Sequence, residues 1–527
     1  MDLGTSSSCL FVRCRRTRAR TPPPPPPPPP ESIIVVGGGL AGLAAAHHLT
    51  RYGRCVLVLE AADVIGGRIK QCSVGHSTNS TLAEAGAEFF HGHTSTSKKL
   101  ADAIGLETER VFSTAHGDGG PDEKPAPDGS IGLFFTAEGE RFNFDSQDAG
   151  FVRLNDALDK LCEELSEPNS LPVSDQRSLQ QYLVDEGVSP KFVELAVASY
   201  ANTVGVGTAM DKLPLRQVAR LERLWGVDGD GDYRVCSPHM SLSTLCHSLT
   251  HGSQVWCNAV VTSIEVFEDQ NDAAARVRVT CADGRVHHAA ASIVAAPVTV
   301  LQRGSIRFVP ALPADKLRAL RSIRMGNACK MLLFRKPPWA AAPSANPRVH
   351  SIISAGLPGR VVPEVWFKNI PDGSWFVSGF ATGTYADALG ALGEAAASDL
   401  LLLQLARSFP AAMSLESLRA LLVASRLVDW SKEPYVGGGY SSPSFDEHEQ
   451  DRALYRRPEW NGLLCFCGEA TEDACMTMSA ALESGKRAAS ELQQALLTAR
   501  ARPPAGALTK PTGELLGSRW FGRTSRL

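Results

Sequence analysis

Apolar positions along the chain follow three rhythms, and each predicts a different kind of element. Continuous aliphatic runs at Ile33–Val36, Val56–Leu59 and Ile293–Ala296 have the length and β-branched content of strands buried on both faces. Val255–Val266 and Arg276–Thr280 alternate apolar and polar residues, which predicts strands with one wet face, and Asp283-Gly284 supplies a hairpin turn after the second. Helical spacing governs most of 151–225, as in FVRLNDALDKLCEEL and KFVELAVASY, and again 385–423. Leu312–Phe334 reads as a helix, a break at Gly326-Asn327 and a strand, and Cys465–Leu482 as strand, turn and helix. Leu82–Gly92 reads as a strand or loop, and 117–130 as a polar, Gly/Pro-rich surface loop. No internal repeat is visible.

The junction between the first strand and the first helix carries chemistry. Gly37, Gly39 and Gly42 stand in G-x-G-x-x-G order between Ile33–Val36 and an alanine-rich helical stretch that runs to Leu49. The first glycine permits a tight turn, the second lets a pyrophosphate approach the backbone, and the third lets helix and strand pack closely. The second strand ends in Glu60, 18 positions past Gly42, where a carboxylate can accept ribose hydroxyls. Glycines alone would be weak evidence; strand, glycines, helix, strand and terminal acid in this order predict a dinucleotide site. Gly66-Gly67-Arg68 follows directly and resembles the continuation of the fingerprint in glutathione-reductase-like flavoproteins, which implies FAD rather than NAD.

Bulk properties narrow the class. With 527 residues the chain exceeds a single core, so two domains are expected. A net charge of −3, from 53 basic and 56 acidic residues, argues against a nucleic-acid surface over the whole chain. No uncharged apolar stretch reaches the about 18 residues of a membrane span. The 13 cysteines lack the spacing of a disulfide framework or zinc site, which fits a reducing, intracellular compartment. The close pair Cys465 and Cys467 sits in an apolar strand pattern and reads as packing. Asp228–Asp232 has the alternation of a calcium loop but lacks the glycine and glutamate such a loop needs, with Tyr233 and His239 in their places, so no metal is expected.

The two ends read as extensions. Residues 1–21 are rich in Ser and Arg and precede nine prolines, a composition shared by transit peptides and extended spacers. The tail ends in Ser525-Arg526-Leu527, a small–basic–leucine tripeptide like the address read by the peroxisomal import receptor. A peroxisomal location is therefore expected, with a plastid or mitochondrion as the alternative if the leader acts, and cytoplasm if neither does.

Taken together, VVGGGLAGLAAAHHL with GGR, GAEFFHG, IRFVPALPADKLRAL, RMGNACKMLLF, DWSKEPYVGGGY and CGEATEDACMTMSAALESGKRAA resemble the flavin-containing amine oxidases, and within them the polyamine oxidases, from about 32 to 495. The resemblance implies an α/β fold in which a Rossmann-like FAD-binding domain is interleaved with an α+β substrate domain. FAD-binding parts are expected at 32–115, 233–300 and 455–495, substrate parts at 116–232 and 301–454, a leader at 1–31 and a flexible tail at 496–527. Lys330 matches the lysine that holds a water against the flavin. Trp430 and Tyr440 match the aromatic positions beside it, and Thr477 the opposite wall. Gly468 and Glu469 match a second FAD contact, and Val260 the strand residue whose backbone holds the adenine. Gly439 stands where monoamine oxidases carry the cysteine that anchors flavin, which implies non-covalent FAD. His91 matches the histidine of back-converting polyamine oxidases. Phe89-Phe90 and ACMTMSAA depart from the family pattern and leave the substrate's shape open.

The implied reaction uses FAD and oxygen to convert a polyamine into a shorter amine, an aminoaldehyde and hydrogen peroxide. A neutral imidazole at His91 would favour back-conversion. The rival readings are a lysine-specific histone demethylase, which the Tyr440/Thr477 pair permits, and a non-amine flavin oxidoreductase. The short distance from the proline run to the fold, with no long coiled-coil insertion, is expected to disfavour the demethylase.

Overall fold

A computed structural model of the protein describes residues 29, 31–74, 81–111, 131–143, 146–204, 210–225, 231–267, 276–335, 349–369, 375–410 and 414–501. Residues 1–28 of the leader with most of its proline run, the 117–130 loop, Asp228–Asp230 and the terminal tripeptide lie outside the described residues.

The dinucleotide reading gives the first sheet. Five parallel strands lie in the order Gln254–Trp256, Val56–Leu59, Ile33–Val36, Ala291–Val294 and Leu464–Phe466. The three central strands are fully buried, as expected for a parallel sheet covered on both faces. One cover is the pair of helices Leu40–Arg51 and Met478–Ala501, which pack so closely that a side-chain carbon on Gly485 would fall 2.2 Å from the Ala41 carbonyl oxygen. The other cover includes the four-stranded sheet Val286–Ala289, Val277–Cys281, Val261–Val266 and Arg307–Val309, with the hairpin at Gly284.

The second unit is a seven-stranded mixed sheet, ordered Leu422–Asp429, Ala328–Arg335, Trp375–Thr382, Glu364–Asn369, Val349–Ser354, Ile131–Phe135 and Arg141–Phe142. Helix Gly383–Ser408 packs on it through Leu389, Leu401 and Leu405, while the helices of 149–225 form a separate core around Phe151, Tyr182 and Phe192. The chain is thus a two-domain α/β protein whose dinucleotide sheet is assembled from three separated segments.

Several elements differ from the sequence expectation for identifiable reasons. The alternating run Val255–Val266 is two strands in two sheets, broken at Asn258, whose φ of 55° turns the chain. The helical pattern of 385–423 is two helices, Gly383–Ser408 and Leu415–Leu421, and its last two residues already belong to the strand Leu422–Asp429. Leu301, Ile306, Leu312, Leu320 and Ile323 pack in one core with Ile34 and Val294, on the nucleotide side of the boundary expected at 300. Gly383–Ser408, 26 residues containing an 18-residue window with a mean hydropathy of 1.3, is long and apolar enough to cross a membrane, although the sequence shows no uncharged stretch of that length. Its apolar face is the one that covers the sheet, and Gly393 interrupts it with a φ of 76°.

Candidate active site

The glycine turn separates packing from ligand access. A side-chain carbon on Gly42 would lie 2.0 Å from the Gly37 carbonyl oxygen, so this position holds helix against strand. One on Gly39 would meet nothing within 4 Å, so the turn is open where a pyrophosphate needs the backbone. Gly66 N donates to the Gly38 carbonyl at 2.9 Å and ties the Gly66-Gly67-Arg68 loop to the same turn.

Of the candidate catalytic and cofactor-binding residues, all but Gly42 line one cavity of about 2110 Å³: Gly37, Gly39, Glu60, Gly67, Arg68, His91, Val260, Lys330, Trp430, Tyr440, Gly468, Glu469 and Thr477. A drug-sized ligand needs roughly 300–1,000 Å³, so this space accommodates a dinucleotide with a substrate beside it.

At the nucleotide end, Glu60 accepts from Gly38 N at 2.6 Å and Ala62 N at 2.8 Å. Burial raises its pKa and these amides pull it back, which leaves a fixed carboxylate with lone pairs for ribose hydroxyls. Val260 lies in the crossover before Val261–Val266 and not within a strand, contrary to expectation. Its carbonyl accepts from Ala282 N at 2.8 Å, and its N–H has no partner among the described residues, so a backbone donor is left for an adenine ring.

Further along, Arg68 donates to the Gly439 carbonyl at 3.0 Å and to Glu469 at 2.7 Å. Glu469 also accepts from Ser441 Oγ at 2.7 Å and Met476 N at 3.2 Å. Burial alone would raise its pKa, but Arg68, Ser441 and Arg452 outweigh that and hold it below the ordinary value. Gly468, at φ 131°, again faces open space, and Met478–Ala501 begins with Thr477 Oγ1 accepting from Ala480 N. Two long helices therefore open at the cavity, and their first-turn N–H groups suit anionic or polar parts of a cofactor.

The opposite end is aromatic and charged. Buried Trp430 donates through Nε1 to the Ala85 carbonyl at 3.2 Å, and Tyr440 donates to the Thr203 carbonyl at 2.9 Å. Burial pushes the Tyr440 hydroxyl well above its usual pKa, so it stays a neutral wall. Lys330 donates to Glu88 at 2.5 Å and to the Glu84 carbonyl at 3.2 Å, and its ammonium lies 5.4 Å from the Trp366 ring centroid. An ammonium has three donors, so one N–H remains for a water. His91 Nδ1 lies 2.9 Å from Asp232 Oδ1, and Asp232 is buried.

The sequence reading passed over Glu88, Asp232, Glu364, Trp366 and Phe380, all of which line this end. Glu88 was in view inside GAEFFHG. The alternation of Glu364-Val-Trp366 marks a one-faced strand but not which cavity it faces. Of the departing pair, Phe89 lines the cavity edge-on to Trp366 with centroids 4.8 Å apart, whereas Phe90 is wholly buried in the nucleotide-domain core.

Residues 40–493 match the family described as flavin containing amine oxidoreductase. The chain is 29% identical over 305 residues to lysine-specific histone demethylase 1 homolog 2 of Oryza sativa subsp. japonica, covering 56% of this chain and 35% of that protein. It is 25% identical over 481 residues to polyamine oxidase 4 of the same organism, covering 88% and 89%. The chain thus spans about a third of the demethylase and nearly all of the polyamine oxidase. Among solved structures, putrescine oxidase bound to putrescine superposes with a TM-score of 0.70 at 20% identity, over 88% of this chain and 99% of that one. Cyclohexylamine oxidase from Brevibacterium oxydans IH-35A gives 0.69 at 20%, over 89% and 100%.

Proposed function

Because this chain belongs to the flavin-containing amine oxidoreductases, we propose that it oxidises polyamines with FAD and oxygen in the back-conversion direction. The observation that carries the reading is the continuity of the cavity from a dinucleotide groove at Gly39 and Glu60 to an aromatic end at Trp430 and Tyr440 that is lined with carboxylates. The match to the rice polyamine oxidase over most of both chains supports it further.

Gly39, Glu60, Arg68, Val260 and Gly468 are the groups that would hold the cofactor, and Gly439 offers no thiol for a covalent link. When bound, FAD supplies the two-electron acceptor whose electrons pass on to oxygen. The substrate loses two electrons and two protons, one proton from the carbon beside nitrogen and one from the nitrogen itself; water then cleaves the carbon–nitrogen bond of the imine, and oxygen gains the two electrons and two protons as peroxide. Tyr440 and Trp430 confine the reacting amine by their faces. Lys330, fixed by Glu88, keeps one N–H for a water. The His91–Asp232 pair carries no net charge when the imidazole is protonated, so it does not draw an ammonium deeper as a lone glutamate would.

Product analysis after aerobic turnover tests this. Spermine should give spermidine, aminopropanal and hydrogen peroxide. Diaminopropane as the main small amine from spermidine would overturn the direction, and absence of peroxide with either polyamine would overturn the activity.

A further inference from the structure

Three residues on three adjacent strands form one row across the seven-stranded sheet. Lys330 pairs in register with Phe380, and Phe380 pairs with Glu364. Directly paired residues point to the same face of a sheet, and all three line the cavity. Two strand spacings separate the ends of the row, roughly 10 Å between backbones. Lys330 has its counter-ion in Glu88. Glu364 has none: Trp366 Nε1 at 3.0 Å, Asn202 Nδ2 at 3.3 Å and Thr203 Oγ1 at 3.5 Å are neutral donors, and no cation among the described residues pairs with it.

The geometry points to Glu364 as the anchor for a second ammonium group of the substrate, a specificity residue that selects diamines and polyamines over monoamines. A buried carboxylate that faces a cavity without a cation is completed by a cationic ligand. Thr203 joins it to the aromatic wall, since its hydroxyl reaches Glu364 and its carbonyl accepts from Tyr440. An ammonium held there leaves the rest of an extended chain along Phe380 toward Lys330. Burial pushes the Glu364 carboxyl up to about 7. The other titratable groups around it are Asp232, which raises it further, Tyr440, and Lys330 across the row.

The inference rests on the amine oxidase reading, and binding separates the two. The probes are octanediamine and octylamine, added to the flavin-loaded enzyme without oxygen and followed by the flavin absorbance shift. The wild type should bind the diamine more tightly, and the preference should grow from pH 6 to pH 8 as Glu364 ionises. Glu364→Gln should lose at least about tenfold in diamine affinity, with octylamine affinity little changed. Glu364→Asp, which keeps the charge, should retain a partial preference. Equal loss for both amines, or an unchanged preference in Glu364→Gln with full flavin content, would overturn the anchor. A diamine preference that depends on Glu364 in a protein that oxidises no amine would support the anchor and overturn the activity.

Discussion

Two buried glutamates, one at each end of the same cavity, show how differently the two halves are built. Glu469 on the nucleotide side is surrounded by Arg68, Ser441 and Arg452, and its pKa is held down despite burial. Glu364 on the substrate side meets only neutral donors and is pushed up to about 7. Glu84, whose backbone carbonyl accepts from Lys330, is pushed up to about 8, its carboxyl accepting from Leu242 N through one oxygen while the other is buried without a partner. The surroundings of Glu469 thus compensate its charge from within the protein. Glu364 keeps a carboxyl group that no cation among the described residues pairs with, and a polycationic substrate would balance its charge from outside.

The glycine turn gives the largest way to break this contrast. Gly42→Val should abolish soluble flavoprotein, because its side chain would enter the space of the Gly37 carbonyl. Gly39→Ala should fold with an unchanged circular dichroism spectrum yet bind FAD at least about tenfold more weakly, since the space it fills is the ligand's. Equal flavin content in both variants would mean that the turn is structural only.

Lys330→Met acts at the other end. It should keep a full complement of flavin while oxidase turnover falls by roughly ten- to a thousandfold. Unchanged flavin reoxidation in stopped flow would remove Lys330 from the oxygen step.

Glu84→Gln probes stability. A carboxyl raised from 4.5 to about 8 binds its proton more tightly when folded. The wild type therefore loses stability as pH climbs from the unfolded value toward 8, on the order of 3 kcal/mol by pH 7. The glutamine keeps the acceptor for Leu242 N and escapes that loss, so its denaturation midpoint should exceed the wild type's increasingly between pH 5 and pH 8. A constant difference across that range would show that Glu84 does not titrate there. The smallest effect expected is on cofactor release: acid or heat should free FAD intact, and flavin that precipitates with the polypeptide would reveal a link that Gly439 does not suggest.

What was legible in the sequence follows the same division. The nucleotide site rests on short-range spacing, Gly37 to Gly42 and then Glu60, so its strands, helix and acid could be read in order. Lys330, Trp430, Tyr440, Thr477 and His91 came from motif resemblance, and the fold brings them to one cavity. Glu364 and Asp232 could not be found this way, because their significance arises from register. Glu364 acquires its place through Phe380, 16 positions later, and Asp232 through pairing of Asp232–Val235 with Phe90–His91. The break at Asn258 was hidden for a related reason: alternation continues across a turn that sends two strands to different sheets.

Anaerobic mixing of the flavin-loaded protein with spermine tests the central claim most directly, because it isolates electron transfer from oxygen chemistry. Polyamine oxidation predicts stoichiometric bleaching of the oxidised flavin by spermine and little by a methylated histone peptide. Bleaching by the peptide alone, or by neither, would contradict it.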